Sequence, residues 1–160
     1  MRGLIVALMW LLAAAPADAQ RHKFTINTET PEGQLLAQIG QEEDAAKKLG
    51  LLEQFAEKFP KHEGFAWVLS QMVPAYNKAG QFDKALAVGD KLLTLDPGDI
   101  ESAHAILQAA EGTKDPDAVL AWAPKVSDMA RKVAQAEKPK EEEEAEEWKR
   151  RVDFAKQLDT

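Results

Sequence analysis

Apolar residues recur at helical intervals along most of the chain, and the clearest run lies between Ala66 and Pro97. On both sides of Gly80 the apolar positions are three and four residues apart, which is typical of an amphipathic helix. They are Val68, Leu69, Met72, Val73 and Tyr76 before the glycine, and Phe82, Ala85, Leu86, Gly89, Leu92 and Leu93 after it. Because glycine readily takes the left-handed conformation, we predict two helices that reverse direction at Gly80.

The same spacing predicts further helices on either side of this hairpin. Their predicted limits are Gly33 to Gly40, Asp44 to Pro60, Ile100 to Gly112, Asp115 to Val133, and a last helix after Pro139. Asp44 and Asp115 are suited to cap the helices that follow them, and Pro124 is expected to kink its helix. Since no segment shows sustained period-two alternation, we predict an all-α fold of about seven helices without a sheet.

Five residues of the central hairpin fall at the offsets of the tetratricopeptide repeat, a helix-turn-helix unit of about 34 residues. These residues are Tyr76, Gly80, Phe82, Ala85 and Pro97. The chain therefore resembles the tetratricopeptide repeat family, and in particular exported bacterial proteins of that family. The resemblance implies stacked antiparallel helical hairpins that form an α-solenoid. The implied units are about 33–62, 63–97 and 98–135.

A repeat solenoid presents an extended concave surface. The resemblance to the family implies that the first helix of each unit lines it. The groove-facing positions that it implies are Trp67, Ser70, Pro74, Asn77, Lys78, Glu101, His104, Gln108 and Glu111. A tryptophan offers flat contact area, an amide can bond a peptide backbone, and an ammonium group can pair with a carboxylate. The expected partner is therefore a protein or peptide segment, whose identity the sequence leaves open.

Residues 1–19 have the composition of a secretory signal peptide. Arg2 supplies a positive start, Gly3 to Ala15 is uncharged and mostly aliphatic, and Ala17 and Ala19 form a small-x-small cleavage pattern. We expect cleavage before Gln20, export to the periplasm or beyond, and a flexible leader over residues 20–32. The apolar run is shorter than the roughly 20 residues of a transmembrane helix, so no stable membrane anchor is expected after cleavage.

The charge balance argues against nucleic acid as a partner. The chain has 20 lysines and arginines against 27 acidic residues, a net charge of −7, whereas nucleic-acid binding depends on clustered cations. There is no cysteine, and His22, His62 and His104 lack the spacing of metal ligands. No catalytic motif is present in the sequence. We therefore expect neither an enzyme nor a bound cofactor or metal.

Residues 136–160 are expected to form an acidic linker followed by an amphipathic helix. Trp148, Val152 and Ala155 share one face of that helix, and this face needs cover. It either packs back on the third unit as a cap or begins a further repeat whose partner helix is missing. Two functions follow from these alternatives. The chain is a peptide-binding adaptor, or it is an assembly element that completes a longer solenoid or a homo-oligomer.

Overall fold

The computed structural model describes residues 24–136 and 142–158, and within these ranges it contains seven α-helices and no strand. This confirms the predicted all-α fold. The helices are α1 (Pro31–Gln41), α2 (Ala45–Lys58), α3 (Phe65–Lys78), α4 (Phe82–Leu95), α5 (Ile100–Gly112), α6 (Pro116–Ala134) and α7 (Glu142–Leu158). The predicted signal peptide and its cleavage residues, Ala17, Ala19 and Gln20, lie outside the described residues.

Side-chain caps fix where four of the helices begin. Asp44, Asp99 and Asp115 each accept a backbone N–H from the first turn of the following helix, as the sequence predicts for Asp44 and Asp115. Thr30 does the same for α1 by accepting from the N–H of Gly33 at 3.2 Å. Because Thr30 caps the helix and Pro31 occupies its first position, α1 starts two residues earlier than predicted.

The turn at Gly80 has the backbone conformation that the sequence predicts. Gly80 has a φ of 67°, its N–H donates to Asn77 O, and the N–H of Gln81 donates to Tyr76 O. These two bonds are those of a Schellman motif, in which a left-handed residue closes the end of a helix. The other repeat-defining residues fit a hairpin: Tyr76 and Ala85 are buried, Phe82 is half-buried, and Pro97 follows the end of α4.

The next hairpin has its left-handed residue two positions after the end of α5. Helix α5 ends at Gly112 with Thr113 as its C-cap, as predicted, and the left-handed residue of the following turn is Lys114, with a φ of 60°. Gly112 instead lies against the ring of Phe82, where an added side-chain carbon would overlap the ring. This glycine therefore serves close packing between α4 and α5 rather than the turn.

Successive helices pack on one another in chain order, and alternate helices also meet. α3 packs beside α5, and α5 touches α7, while each helix also contacts the next one along the chain. The first three odd-numbered helices begin at Pro31, Phe65 and Ile100, so their starts are 34 and 35 residues apart, whereas α7 begins 42 residues after α5. This arrangement is that of a helical repeat, in which each hairpin stacks on its neighbour.

Helix α6 contributes to two separate clusters of buried residues. Trp122, in its first half, belongs to the large cluster formed mainly by α1 to α5. Val126, Ala130 and Val133, in its second half, pack with residues of α5 and α7 in the other cluster. Pro124 lies between the two halves, and the helix continues through it.

Helix α7 is covered within the chain. Val152 and Ala155 are buried, as expected from their common face. Trp148 is half-buried, and its indole N–H donates to the carbonyl oxygen of Ala136 at 3.0 Å. Arg151 donates to Gly98 O at 3.2 Å, ahead of α5. Helix α7 thus packs back on α5 and α6, a position that both a cap and the first helix of a further repeat would occupy.

Candidate functional site

The predicted groove residues lie on two helices that pack side by side, α3 and α5. Their exposure separates them into two groups. Lys78, Glu101, Gln108, Pro74 and Glu111 are exposed, whereas Trp67, Ser70, Asn77 and His104 are half-buried. Each half-buried residue makes contacts inside the chain.

Asn77 links the two helices of the face. Its Nδ2 donates to the carbonyl oxygen of Ala105 in α5 at 2.7 Å. Its Oδ1 is buried and has no hydrogen-bond partner. The amide donor that was expected to bond a peptide backbone is therefore engaged between α3 and α5. An unpaired buried acceptor is costly, so the oxygen would gain from an added donor such as a peptide N–H or water.

Trp67 is covered on one side by a residue of the predicted leader. The ring of Phe24 lies 5.8 Å from that of Trp67, measured between centroids, and 6.2 Å from that of His62. The predicted flexible leader, 20–32, thus includes the first two residues of α1 and a segment that packs on α3. Phe24 fixes this segment at the end of the face where α3 begins.

His104 lies at the opposite end of the face, between α5 and α7. Its ring meets that of Phe154 edge to face, with centroids 5.5 Å apart. Its Nε2 is 3.2 Å from Nε2 of Gln108, and its buried Nδ1 has no hydrogen-bond partner. His104 therefore helps to hold α7 against α5, so a ligand would meet Gln108 before it met the histidine.

Pro74 changes the backbone in the middle of the face. It has no N–H and cannot bond the carbonyl oxygen of Ser70, four residues earlier. The hydroxyl of Ser70 is itself occupied, since it donates to Trp67 O at 2.8 Å. Helix α3 therefore lacks one internal hydrogen bond at this point, where Pro74 is exposed and Ser70 is half-buried.

A polar cluster joins α2, α3 and α4 at Tyr76. The Tyr76 hydroxyl donates to Glu53 Oε1 at 2.7 Å, and Lys84 Nζ lies 3.5 Å from the same oxygen. Burial raises the pKa of Tyr76 well above its usual range, and the hydrogen bond to Glu53 and the charge of Glu53 raise it further. This cluster stabilises the neutral phenol and ties the central hairpin to the preceding helix.

Sequence reasoning missed Phe24, His62 and Phe154, the aromatic residues at the two ends of the face. Phe24 lies in a segment without helical spacing, and His62 lies in a loop, so periodicity carries no signal for either. Phe154 could have been noted, because it lies on the last helix close to Val152 and Ala155. Its contact with His104 depends on the way α7 lies against α5, which no local pattern specifies.

The described residues contain neither a cluster of metal ligands nor a helix that could cross a membrane. Within 24–136 and 142–158, no group of three or more acidic or histidine side chains is placed to hold a metal ion. None of the seven helices in those ranges has both the length and the apolar character needed to cross a bilayer. No protein-family model, curated protein or solved structure matches the chain.

Proposed function

We propose that this chain is an exported, non-enzymatic member of the tetratricopeptide repeat family that binds an extended polypeptide across α3 and α5. The observation that carries the proposal is the spacing of 34 and 35 residues between the starts of α1, α3 and α5, combined with the Schellman turn at Gly80. Stacked repeats of this kind form extended binding surfaces. The signal-like composition of residues 1–19 supports export to the periplasm or beyond.

The exposed residues of this face can bond the backbone and the charged side chains of an extended polypeptide. The side-chain amide of Gln108 can both donate a hydrogen bond to a peptide backbone and accept one from it. Lys78 on α3 and Glu101 and Glu111 on α5 provide charges of both signs, with the acid in excess. Together with the net charge of −7, this excess favours a segment with basic residues.

A photo-crosslinking amino acid tests this proposal directly. Placed at Gln108 in the full chain, it is expected to form adducts with another polypeptide in cells that export the protein. The matched control carries the same residue at Asp90, which is exposed on α4. Glu111→Lys should reduce the adducts at Gln108, because it removes negative charge from a face that is expected to bind basic residues. Equal yields at Gln108 and Asp90, or no adducts at Gln108, would contradict groove binding.

The alternative function, an assembly element with an open apolar end, is less well supported. α7 is packed within the chain, and the side chains on its outer side include Lys149, Arg150, Asp153 and Lys156, all exposed. A polar outer face is expected of a terminal capping element, which keeps a solenoid soluble. Size-exclusion chromatography with light scattering on residues 20–160 separates the two functions, since a monomer fits the adaptor and a stable dimer fits assembly.

A further inference from the structure

Phe24 occupies a socket that the rest of the chain builds around its ring. The walls are His62, Gly64 and Trp67, at the junction of α2 and α3. The ring of Phe24 lies close to the backbone of Gly64. A β-carbon added to Gly64 would be 3.0 Å from Phe24 Cε2. The absence of a side chain at Gly64 therefore gives the socket its depth.

The walls of this socket are held in place independently of Phe24. His62 Nδ1 accepts the backbone N–H of Gly64 at 2.9 Å, which sets the orientation of the imidazole ring. The same ring meets the buried Phe55 edge to face, with centroids 5.4 Å apart. Trp67 lies on α3, which is anchored in the main core. A socket with fixed walls is preorganised for an aromatic side chain, because little further ordering is needed on binding.

The segment that fills the socket touches α3 through Phe24 and touches α1 through Asn27, whose backbone lies against Gly33. Between Phe24 and the cap at Thr30, residues 25–29 are exposed. The hydrogen bonds of the turn stay local, since Asn27 accepts from Glu29 and Thr30. Phe24 itself is only half-buried. A ligand that makes several contacts along the face can therefore displace a segment that is held against α3 by one ring.

We infer that the socket of His62, Gly64 and Trp67 is a binding site for an aromatic side chain of a partner polypeptide, for which Phe24 competes in cis. The inference rests on the proposed function, because Trp67 begins the face that continues through Ser70 and Pro74. It specifies the partner as an extended segment with an aromatic residue near one end. A partner can bind only while Phe24 is out of the socket. The apparent affinity for such a segment is therefore reduced in proportion to the time for which the socket is empty.

A peptide with the sequence of residues 21–27, RHKFTIN, is the probe, and RHKATIN is its matched control. Both are titrated into the ¹⁵N-labelled mature chain, residues 20–160, as wild type, Phe24→Ala and Phe24→Ala/Trp67→Ala. RHKFTIN should bind Phe24→Ala and shift the signals of Gly64 and of the Trp67 indole. Wild type should bind about three- to tenfold more weakly at the same signals. RHKATIN and the double variant should show no such binding.

Several results would overturn the inference. They include equal affinity in wild type and Phe24→Ala, shifts away from the socket, and no binding by Phe24→Ala. A dimer of the wild type that Phe24→Ala abolishes would assign the socket to exchange of leaders between copies, which also overturns it. If Phe24→Ala fails to fold, weak binding of RHKFTIN at the socket of wild type still supports the inference, and none contradicts it. Crosslinking at Gln108 tests the proposed function separately, because that position lies outside the socket.

Discussion

The side chain of Ile106 in α5 lies directly against the α-carbon of Gly89 in α4. A side-chain carbon added at Gly89 would overlap Cγ1 of Ile106, which is itself completely buried. Near one end of these antiparallel helices, Phe82 makes the corresponding contact with Gly112. The two glycines are in opposite helices, so each helix receives a large side chain from the other. They set how closely the two hairpins of the repeat approach.

Gly89→Ala should therefore destabilise the protein although alanine favours helix. The overlap with Ile106 forces a shift in a packed core, which typically costs about 1–3 kcal/mol. Gly50→Ala is the matched control, because Gly50 is exposed inside α2 and has open space around it. That change should stabilise by about 0.5–1 kcal/mol. Urea denaturation of both variants measures the difference, and a stabilising effect at Gly89 would contradict the close approach.

Gly80→Val should lower the free energy of unfolding by about 1–3 kcal/mol, because a β-branched residue is strained at a positive φ. The space around Gly80 is open, so the cost comes from the backbone and not from a clash. Thermal unfolding followed by circular dichroism measures the change. An unaltered melting temperature would mean that the left-handed turn does not limit stability.

Lys114→Gly should have the opposite effect. Lys114 takes a left-handed conformation that is unfavourable for a residue with a side chain, and glycine removes this cost. Part of the gain is lost because glycine makes the unfolded chain more flexible, so the net stabilisation should be about 0.5–1 kcal/mol. The same unfolding measurement applies, and loss of stability would indicate that the lysine side chain has a structural role.

Alkaline pH should destabilise the protein through Tyr76. The folded-state pKa of this phenol is raised above its unfolded value of about 10. The contribution of the neutral phenol to the free energy of unfolding is therefore fully present below about pH 10. The contribution is lost as the pH rises from the unfolded towards the folded pKa, because only the unfolded chain then releases the proton. Tyr76→Phe should flatten this decline and lower stability at neutral pH by about 1 kcal/mol.

The ionisation of Tyr76 can be measured without an added label, because Tyr76 is the only tyrosine in the chain. In denaturant, the near-ultraviolet absorbance of tyrosinate should rise near pH 10, at roughly the ordinary value. In the folded protein the rise should come at higher pH. Coincident titrations of the folded and denatured chain would contradict the link to Glu53.

Trp148→Ala should lower stability by about 1–2 kcal/mol, less than for a fully buried tryptophan because this one is half-buried. The loss should be the same at low and high protein concentration, since α7 is covered by its own chain. Lys149→Ala, an exposed neighbour, should change stability by less than about 0.5 kcal/mol. A loss that grows on dilution would instead show that α7 is stabilised by a second copy.

The sequence predicts most of the helices and caps because these depend on neighbouring residues. Asp44, Gly80 and Asp115 carry signals that can be read within one turn of helix. Lys114 carries no such signal: a lysine in a left-handed conformation follows from how α5 and α6 meet. The nearby Gly112 correctly marks the end of α5, but its contact with Phe82 carries no local signal.

The candidate site is less predictable, because it depends on which helices become neighbours. Position in the repeat assigns Lys78 and Gln108 to the groove, and both residues are exposed. It does not indicate that Asn77 bonds Ala105, a contact that requires the register between α3 and α5. It also does not reveal that Phe24 and Phe154 cover the two ends of the face. Both contacts join segments far apart in sequence, so neither propensity nor spacing carries information about them.

The division of α6 between two buried clusters restricts how the length of this protein can change. If each hairpin had its own core, a cut in a connecting loop would remove one unit and leave the rest intact. Here, removal of α7 would uncover Val126, Ala130 and Val133 on a helix whose first half still holds Trp122 in the larger cluster. Insertion of a further hairpin therefore requires that its first helix reproduce the surface of α7 that meets α6.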